Sequence, residues 1–296
     1  MDMHSYISML TYMRPEGSQA QREFCKRFIE PYMGMPDEHG NYVHIIGDKP
    51  NIAFMAHHDT VHNKGGIQKV SVVPDDVVFS DADCLGADCT TGVYIILCMI
   101  EANVPGVYVI HAAEEVGCQG SRALAGSYPD WLEHVQACIS FDRKGTDEII
   151  THQLGDRTCS DEFAWSLARA LDLPMEPSDR GAYTDSQEYM YLVPECTNIS
   201  VGYYQQHTKF EWQDLEFLDL LIDSLIDADW SGLVFVRDHT IEEPFHWWGQ
   251  EEEEEFNLTS IVRNNPAKVA QMLADYGFTP MELQEELDQH YIGRKV

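Results

Sequence analysis

Three short apolar runs in this chain, Ile52–Ala56, Gly106–His111 and Ala137–Phe141, each lead into ionisable side chains: His57-His58-Asp59, Glu114-Glu115 and Asp142. Runs that are apolar along their whole length belong to strands covered on both faces. Strands of an open α/β sheet present their chemistry at their carboxyl ends. One such ending means little; three suggest a shared rim. Between the first two runs lies CTTGVYIILCMIEA, Cys89–Ala102, which is apolar nearly all round and reads as a buried helix.

Composition narrows the field further. The chain has 296 residues, 44% of them hydrophobic, enough for a full core. A formal net charge of −31 speaks against nucleic acid or anionic membrane as partners. No apolar run is long enough to span a bilayer, and MDMHSYISML lacks a basic region before its apolar residues, so export is not expected. The eight cysteines form no C-x-x-C pair and read as reduced thiols of a cytoplasmic protein.

Along the chain, Tyr6–Met13 and Gln19–Tyr32 read as helices, the second with Ser18 as N-cap. Tyr42–Ile46 reads as a strand, turned back by Gly47-Asp48-Lys49-Pro50 into the run at Ile52 in a hairpin-like arrangement. Residues 63–80 lack a clear period and are expected to be loop plus an irregular strand. A short helix is expected around Ser121–Ala125, a strand at Ile149–His152 and a helix from Asp161 to Leu171. Residues 179–190 read as a polar loop near the site; Asn198–Tyr203 as a strand; Gln213–Ala228 as a long amphipathic helix. Three segments are expected: a catalytic domain over 1–235, a linker over 236–255 with the acidic run Glu251–Glu255, and a small helical tail over 256–296 with helices opening at Pro266 and Pro280.

Histidine and carboxylates at strand ends are the raw material of a metal site. His57 suits a ligand, with Asp59 accepting from its other ring nitrogen to fix the tautomer; alone, such a pair reads equally as solvated loop residues. Asp88, at the amino end of the buried helix, suits the free N–H groups there but also fits a plain cap. Adjacent Glu114 and Glu115 would repel each other unless protonated, paired or metal-bound.

In order, the motifs are His57-x-Asp59, Gly86-Ala87-Asp88, Glu114-Glu115-Val116-Gly117, Asp142 and His207. This series resembles the zinc-dependent exopeptidase superfamily with co-catalytic metals, which includes leucyl aminopeptidases and peptidase T, over about residues 5 to 230. The resemblance implies a three-layer α/β/α sandwich with a mixed, mostly parallel central sheet. It implies two divalent ions, zinc foremost, with manganese or cobalt compatible with the same donors. His57 and Asp142 would hold one, Glu115 and His207 the other, with Asp88 bridging. Glu114 would be the general base on a metal-bridging water. Some relatives insert a lid before the last histidine; only 64 residues separate Asp142 from His207, which favours the lidless branch. Cys89 stands where these relatives commonly carry a second aspartate, at a bond that is often cis, so Asp88–Cys89 is a candidate cis peptide.

The activity implied is cleavage of a peptide bond at a free N-terminus, with an N-acyl amino acid deacylase or another amidohydrolase as the alternative and a non-catalytic interaction module further behind. The expected partner is a peptide or small amide substrate, and the sequence leaves the oligomeric state open. The acidic loop at Asp179–Tyr191 and the overall negative charge favour a cationic chain end. Asp185 is expected near the substrate ammonium, with Tyr183 or Tyr204 polarising the carbonyl.

Overall fold

The computed structural model describes residues 1–73 and 76–240, together with Val262, Lys268, Val269, Met272, Leu273 and Thr279. Contacts divide the chain into two units, Met1–Phe245 and His246–Val296. In the second, Val262, Lys268, Val269, Met272 and Leu273 are helical. The acidic run and both prolines of the expected tail lie outside the described residues.

The first unit is built on a seven-stranded mixed sheet. Its strands in chain order are β1 (Tyr42–Ile46), β2 (Ile52–His57), β5 (Gly106–His111), β6 (Ala137–Arg143), β7 (Glu148–Ile150), β8 (Glu176–Ser178) and β9 (Glu195–Ser200). Strands β3 (Val70–Val73) and β4 (Val77–Ser80) join β10 (Tyr203–Tyr204) and β11 (Trp212–Asp214) in a separate four-stranded sheet, ordered β10-β11-β4-β3. The large sheet is ordered β8-β7-β9-β6-β2-β5-β1. Its centre, β9-β6-β2-β5, is parallel, while β1 runs antiparallel at the edge and β7 antiparallel to β9.

The helices are α1 (Met3–Leu10), α2 (Gln19–Phe24), α3 (Glu30–Met33), α4 (Ala87–Glu101), α5 (Gln119–Ser127), α6 (Asp161–Leu171) and α7 (Leu215–Asp227). Side-chain alternation divides the core into two layers. Phe54, Tyr108, Ile139 and Phe141 point to the side of α1, α4, α6 and α7. Ala53, Met55, Val107, Val109 and Cys138 point to the other, with Leu124 and Ala125 of α5 and Tyr189 of a 3₁₀ turn, Asp185–Tyr189. The three-layer sandwich is therefore present, and residues 143–206 are part of it, forming no separate body.

Helix α4 is the buried helix of the sequence, with residues 87–99 all buried. It lies so close to the sheet that a Cβ on Gly92 would come within 2.4 Å of the Phe141 carbonyl oxygen, which excludes any side chain there. Helix α2 opens at Ser18 as read, with the Ser18 hydroxyl accepting from Gln21 N at 3.1 Å. It runs through a π-turn, Cys25–Ile29, into α3.

Several sequence expectations are corrected. Strands β1 and β2 do not form a hairpin: β5 lies between them and pairs with both. Burying β5 on both faces requires neighbours on both edges, and the turn at 47–51 bridges the two-strand gap of roughly 10 Å. Helix α1 starts earlier than read, because the Asp2 carboxylate caps it by accepting from Ser5 N. Residues 63–80 supply Gly66–Ile67, β3 and β4, more strand than expected. Strand β6 runs on through Asp142 to Arg143.

Candidate metal centre

The parallel centre of the sheet brings the three runs together as neighbours. His57 pairs in register with His111, and β6 flanks β2 on the other side. By alternation His57 and His111 project to the same face as Met55 and Val109, and Asp142, at a register shift in β6, comes within reach of His57. The Asp142 backbone is fixed on both sides: its N–H donates to Asn198 Oδ1 at 2.9 Å, and its carbonyl accepts from Asn198 Nδ2 at 2.9 Å and the Tyr203 hydroxyl at 3.1 Å.

Asp59, fully buried, does two jobs. Its Oδ1 lies 3.4 Å from His57 Nδ1, and its carboxylate accepts the backbone N–H groups of Glu114 and Glu115 at 3.1 and 3.0 Å. Those bonds hold a turn whose first residue, Ala113, has φ 59, a left-handed conformation that costs a non-glycine residue on the order of 1 kcal/mol. Asp59 thus orients the His57 ring and aims both glutamates at once.

Asp88 stands in the first turn of α4. The cap of this helix is Gly86, whose side of the turn is taken up by Thr60 and His62. The free N–H groups are met instead by a residue the sequence did not single out. Glu211, 2% exposed, accepts from Leu85, Gly86 and Ala87 N at 2.8, 3.0 and 2.7 Å. Burial, then the Asp88 charge, push the Glu211 pKa up to about 8, while the three N–H bonds pull it down. Arg14, also missed, is fully buried and ties two ligand-bearing segments together. Its guanidinium donates to the His58 carbonyl at 3.0 Å and to Cys89 Sγ and Thr90 Oγ1 at 3.0 and 2.9 Å. The Asp88–Cys89 bond is trans, correcting the cis expectation: Asp88 already lies within the helix, whose regular backbone needs trans bonds.

His207 arrives from the second sheet, at the bend between β10 and β11, with φ 61. Its Nε2 is 2.8 Å from Asp88 Oδ2 and 3.3 Å from Glu115 Oε2; His57 Nε2 is 3.7 Å from Asp142 Oδ1. Donors bound tetrahedrally to one zinc lie roughly 3.4 Å apart, so these spacings suit shared ions. Asp88, Glu115 and His207 each offer a donor atom within 4.8 Å of the others, as do His57, Glu114 and Glu115. Glu115 Oε1 is buried with no hydrogen-bond partner, as a ligand atom facing a cation would be.

Electrostatics point the same way. Burial raises Glu115 to about 7, with the Asp88 charge adding. Burial likewise lifts Glu114 well above the carboxylate range, reinforced by Asp142, Glu115 and Asp185, and lifts Asp142, reinforced by Asp88. Burial alone would lower both imidazoles, but Glu115 and Asp88 hold His207 up at about 12, and Asp142 and Asp59 hold His57 well above its usual range. Asp88 stays below the usual range against its burial, through His207 and then His57. With every carboxylate ionised these acids would outnumber the two imidazoles, and the raised pKa values of Glu114, Glu115 and Asp142 reflect burial and a mutual repulsion that cations would relieve.

A third group, His62, Asp83 and Cys84, is close-set but satisfied internally. His62 Nε2 faces the Gln68 and Cys84 carbonyl oxygens, so it carries the proton, and Nδ1 meets the Thr60 hydroxyl. His58 is likewise occupied, between Gln21 and the Gly40 carbonyl.

The residues expected at the substrate are placed differently from the metal donors. Asp185 is 2% exposed, with Oδ2 3.2 Å from His111 Nδ1. The Tyr183 hydroxyl accepts from Arg122 Nη2 at 2.9 Å and donates to Glu188. Tyr204 stacks on Trp212 with ring centroids 4.3 Å apart, and it is its neighbour Tyr203 that reaches Asp142.

No protein-family model matches the sequence, and no curated protein matches it. Solved structures do. The aminopeptidase PepT from Bacillus cereus aligns with a TM-score of 0.61 at 15% identity, covering 76% of this chain and 96% of that one. A tripeptidase from Staphylococcus aureus gives 0.61 at 14%, covering 76% and 96%. The TET1 peptidase of Pyrococcus horikoshii gives 0.58 at 16%, covering 76% and 98%. The fold is that of these peptidases. Within this fold, the seven-stranded sheet with its helices and loops carries His57, Asp88, Glu115 and Asp142, and the four-stranded sheet carries His207. Among the described residues no helix is long and apolar enough to cross a membrane.

Proposed function

We propose that this chain is a two-metal hydrolase that removes residues from the free N-terminus of peptides. The observation that carries the reading is the convergence of His57, Asp88, Glu115, Asp142 and His207 at one rim, with Glu114 beside them. The shared fold with aminopeptidases and a tripeptidase supports it. His57 and Asp142 would hold one divalent ion and Glu115 and His207 a second, with Asp88 between them; zinc suits this donor set, and manganese or cobalt is compatible. Bound there, such ions lower the pKa of water and polarise a carbonyl oxygen.

The chain's own side chains supply the rest. Glu114 is not needed as a ligand, and its crowded, buried carboxylate is a stronger base than a solvated one. It takes a proton from the attacking water and returns it to the departing amine. Asp59 keeps Glu114 in place through its backbone N–H and keeps the His57 ring turned toward Asp142. Tyr203, not Tyr204, steadies Asp142 from the second sheet. The formal charge of −31 draws a cationic terminus toward the site and repels an anionic one. The catalytic unit is proposed to end ahead of the acidic run, so a chain cut after Gln250 keeps its turnover.

The test compares a free peptide with its N-acetylated twin on metal-loaded protein. Cleavage of the free peptide with release of its first residue is expected. Equal or faster cleavage of the blocked peptide would instead make the chain a deacylase or another amidohydrolase.

A further inference from the structure

Behind the donor cluster lies a second set of buried polar side chains that the proposed reaction does not use. His111 closes β5, directly beside His57 in the sheet, and its ring is fully buried. Its Nδ1 lies 3.2 Å from Asp185 Oδ2 and its Nε2 3.0 Å from the Tyr189 hydroxyl. Asp185 and Tyr189 are the first and last residues of the 3₁₀ turn, so one imidazole meets both ends of it, by a hydrogen bond at Tyr189 and by a 3.2 Å approach outside hydrogen-bond geometry at Asp185. Asp185 is 2% exposed and Tyr189 fully buried. The residue ahead of the turn, Thr184, is 1% exposed and donates its hydroxyl to Asp142 Oδ2 at 2.9 Å. The Asp142 oxygen nearer His57 is the other one, Oδ1. A continuous path therefore runs from β5 through His111, Asp185 and Thr184 to the carboxylate that faces His57.

We propose that Thr184 and Asp185, fastened by His111 and Tyr189, are positioning residues that hold the Asp142 carboxylate for the ion it would share with His57. This rests on the two-metal reading above and removes Asp185 from the substrate's ammonium pocket. A carboxylate with one oxygen tied to a fixed hydroxyl presents the other in a single direction. Without that tie it rotates, and ordering it again weakens binding. Outer partners of metal ligands typically set affinity by about 10–100-fold.

The experiment is zinc titration of the full chain by calorimetry, beside kcat and KM on a free tripeptide. Thr184→Val keeps the shape and removes the hydroxyl; it is expected to weaken one of the two zinc sites, the one that His57 and Asp142 would form, by roughly tenfold and to leave the other within about twofold, with Thr184→Ser restoring it. Asp185→Ala should do the same while leaving KM within about twofold, and adding His111→Ala should cost little more, because the two act through one contact. Unchanged zinc affinity in Thr184→Val overturns the proposal. So does an Asp185→Ala chain whose KM rises with zinc affinity and kcat intact, which would make Asp185 a substrate contact. If Asp185→Ala fails to fold, Thr184→Val decides alone. Zinc titration needs no turnover, so a wild-type chain that binds two zinc ions but cleaves no peptide defeats the peptidase reading without touching this one.

Discussion

Replacing Glu211 by alanine would leave three N–H groups at the amino end of α4, at Leu85, Gly86 and Ala87, facing a buried gap. An unpaired buried donor costs about 1–3 kcal/mol, and taking the low end for each puts the loss near ~3 kcal/mol. That is a large part of a typical total stability of about 5–15 kcal/mol. For a unit of this size each kcal/mol shifts Tm by about 2–4 °C, so Glu211→Ala should melt roughly 6–12 °C below wild type. Calorimetric melting of the metal-free chain measures it, and amide exchange at Leu85, Gly86 and Ala87 locates it. Because Asp88 follows directly, zinc affinity should fall in the same variant. A Tm within about 3 °C of wild type, with those amides still protected, would refute the reasoning by showing that water replaces the carboxylate at little cost.

Asp88→Ala should remove both ions or nearly both, read by elemental analysis, whereas His58→Ala should lower Tm without changing metal content, since His58 bonds only to Gln21 and the Gly40 carbonyl. Glu114→Ala should keep the metal and lower kcat by on the order of a hundredfold or more, as loss of a general base does; Glu115→Ala should lose metal, and exchanged phenotypes would swap the two roles. The Glu148 carboxyl is held below its ordinary pKa: burial opposes this, but Ser178, then Arg143 and Arg180, outweigh it. A depressed carboxylate stabilises the fold above its unfolded pKa and loses that contribution as pH falls through the folded one. Glu148→Gln should therefore melt below wild type at pH 7, with the gap closing below about pH 4.5 in a pH series of melting curves.

What could be read from the sequence is what is local. The candidate donors His57, Asp142 and Asp88 sit at or near ends of strands or the start of a helix, so an apolar run beside an ionisable group announces each of them. The partners that aim them are distant in sequence and chemically ordinary. Glu211 is one acid in an acidic chain, Thr184 one hydroxyl in a polar loop, and Arg14 precedes a proline in a turn; only the fold brings them to Asp88, Asp142 and His58. Tyr203, whose hydroxyl reaches the Asp142 carbonyl, does not stand out beside Tyr204, because neighbouring residues of a strand face opposite sides and a two-residue strand gives no period to tell which faces Asp142. The hairpin at Gly47 failed for a similar reason: a turn fixes reversal of the chain, but the partner of each strand is fixed by β5, which arrives some 60 residues later.

One asymmetry of the cluster bears on how an ion would come and go. Asp88 and Glu115 are anchored in the large sheet and its helix, with side chains 5% and 8% exposed, while His207 hangs from the bend of the small sheet and is 30% exposed. An ion held by all three would be a rivet between two separately built layers. Its escape route is then the bend carrying His207, which lies between the anchors Tyr203 and Glu211 and whose outward swing needs no strand to separate. Dissociation should be governed by the breathing of residues 205–210, and a chelator should speed amide exchange there long before it disturbs β2 or β6. Metal retention would become a matter of lifetime, adjustable from Gln205 or Thr208 without altering a single ligand.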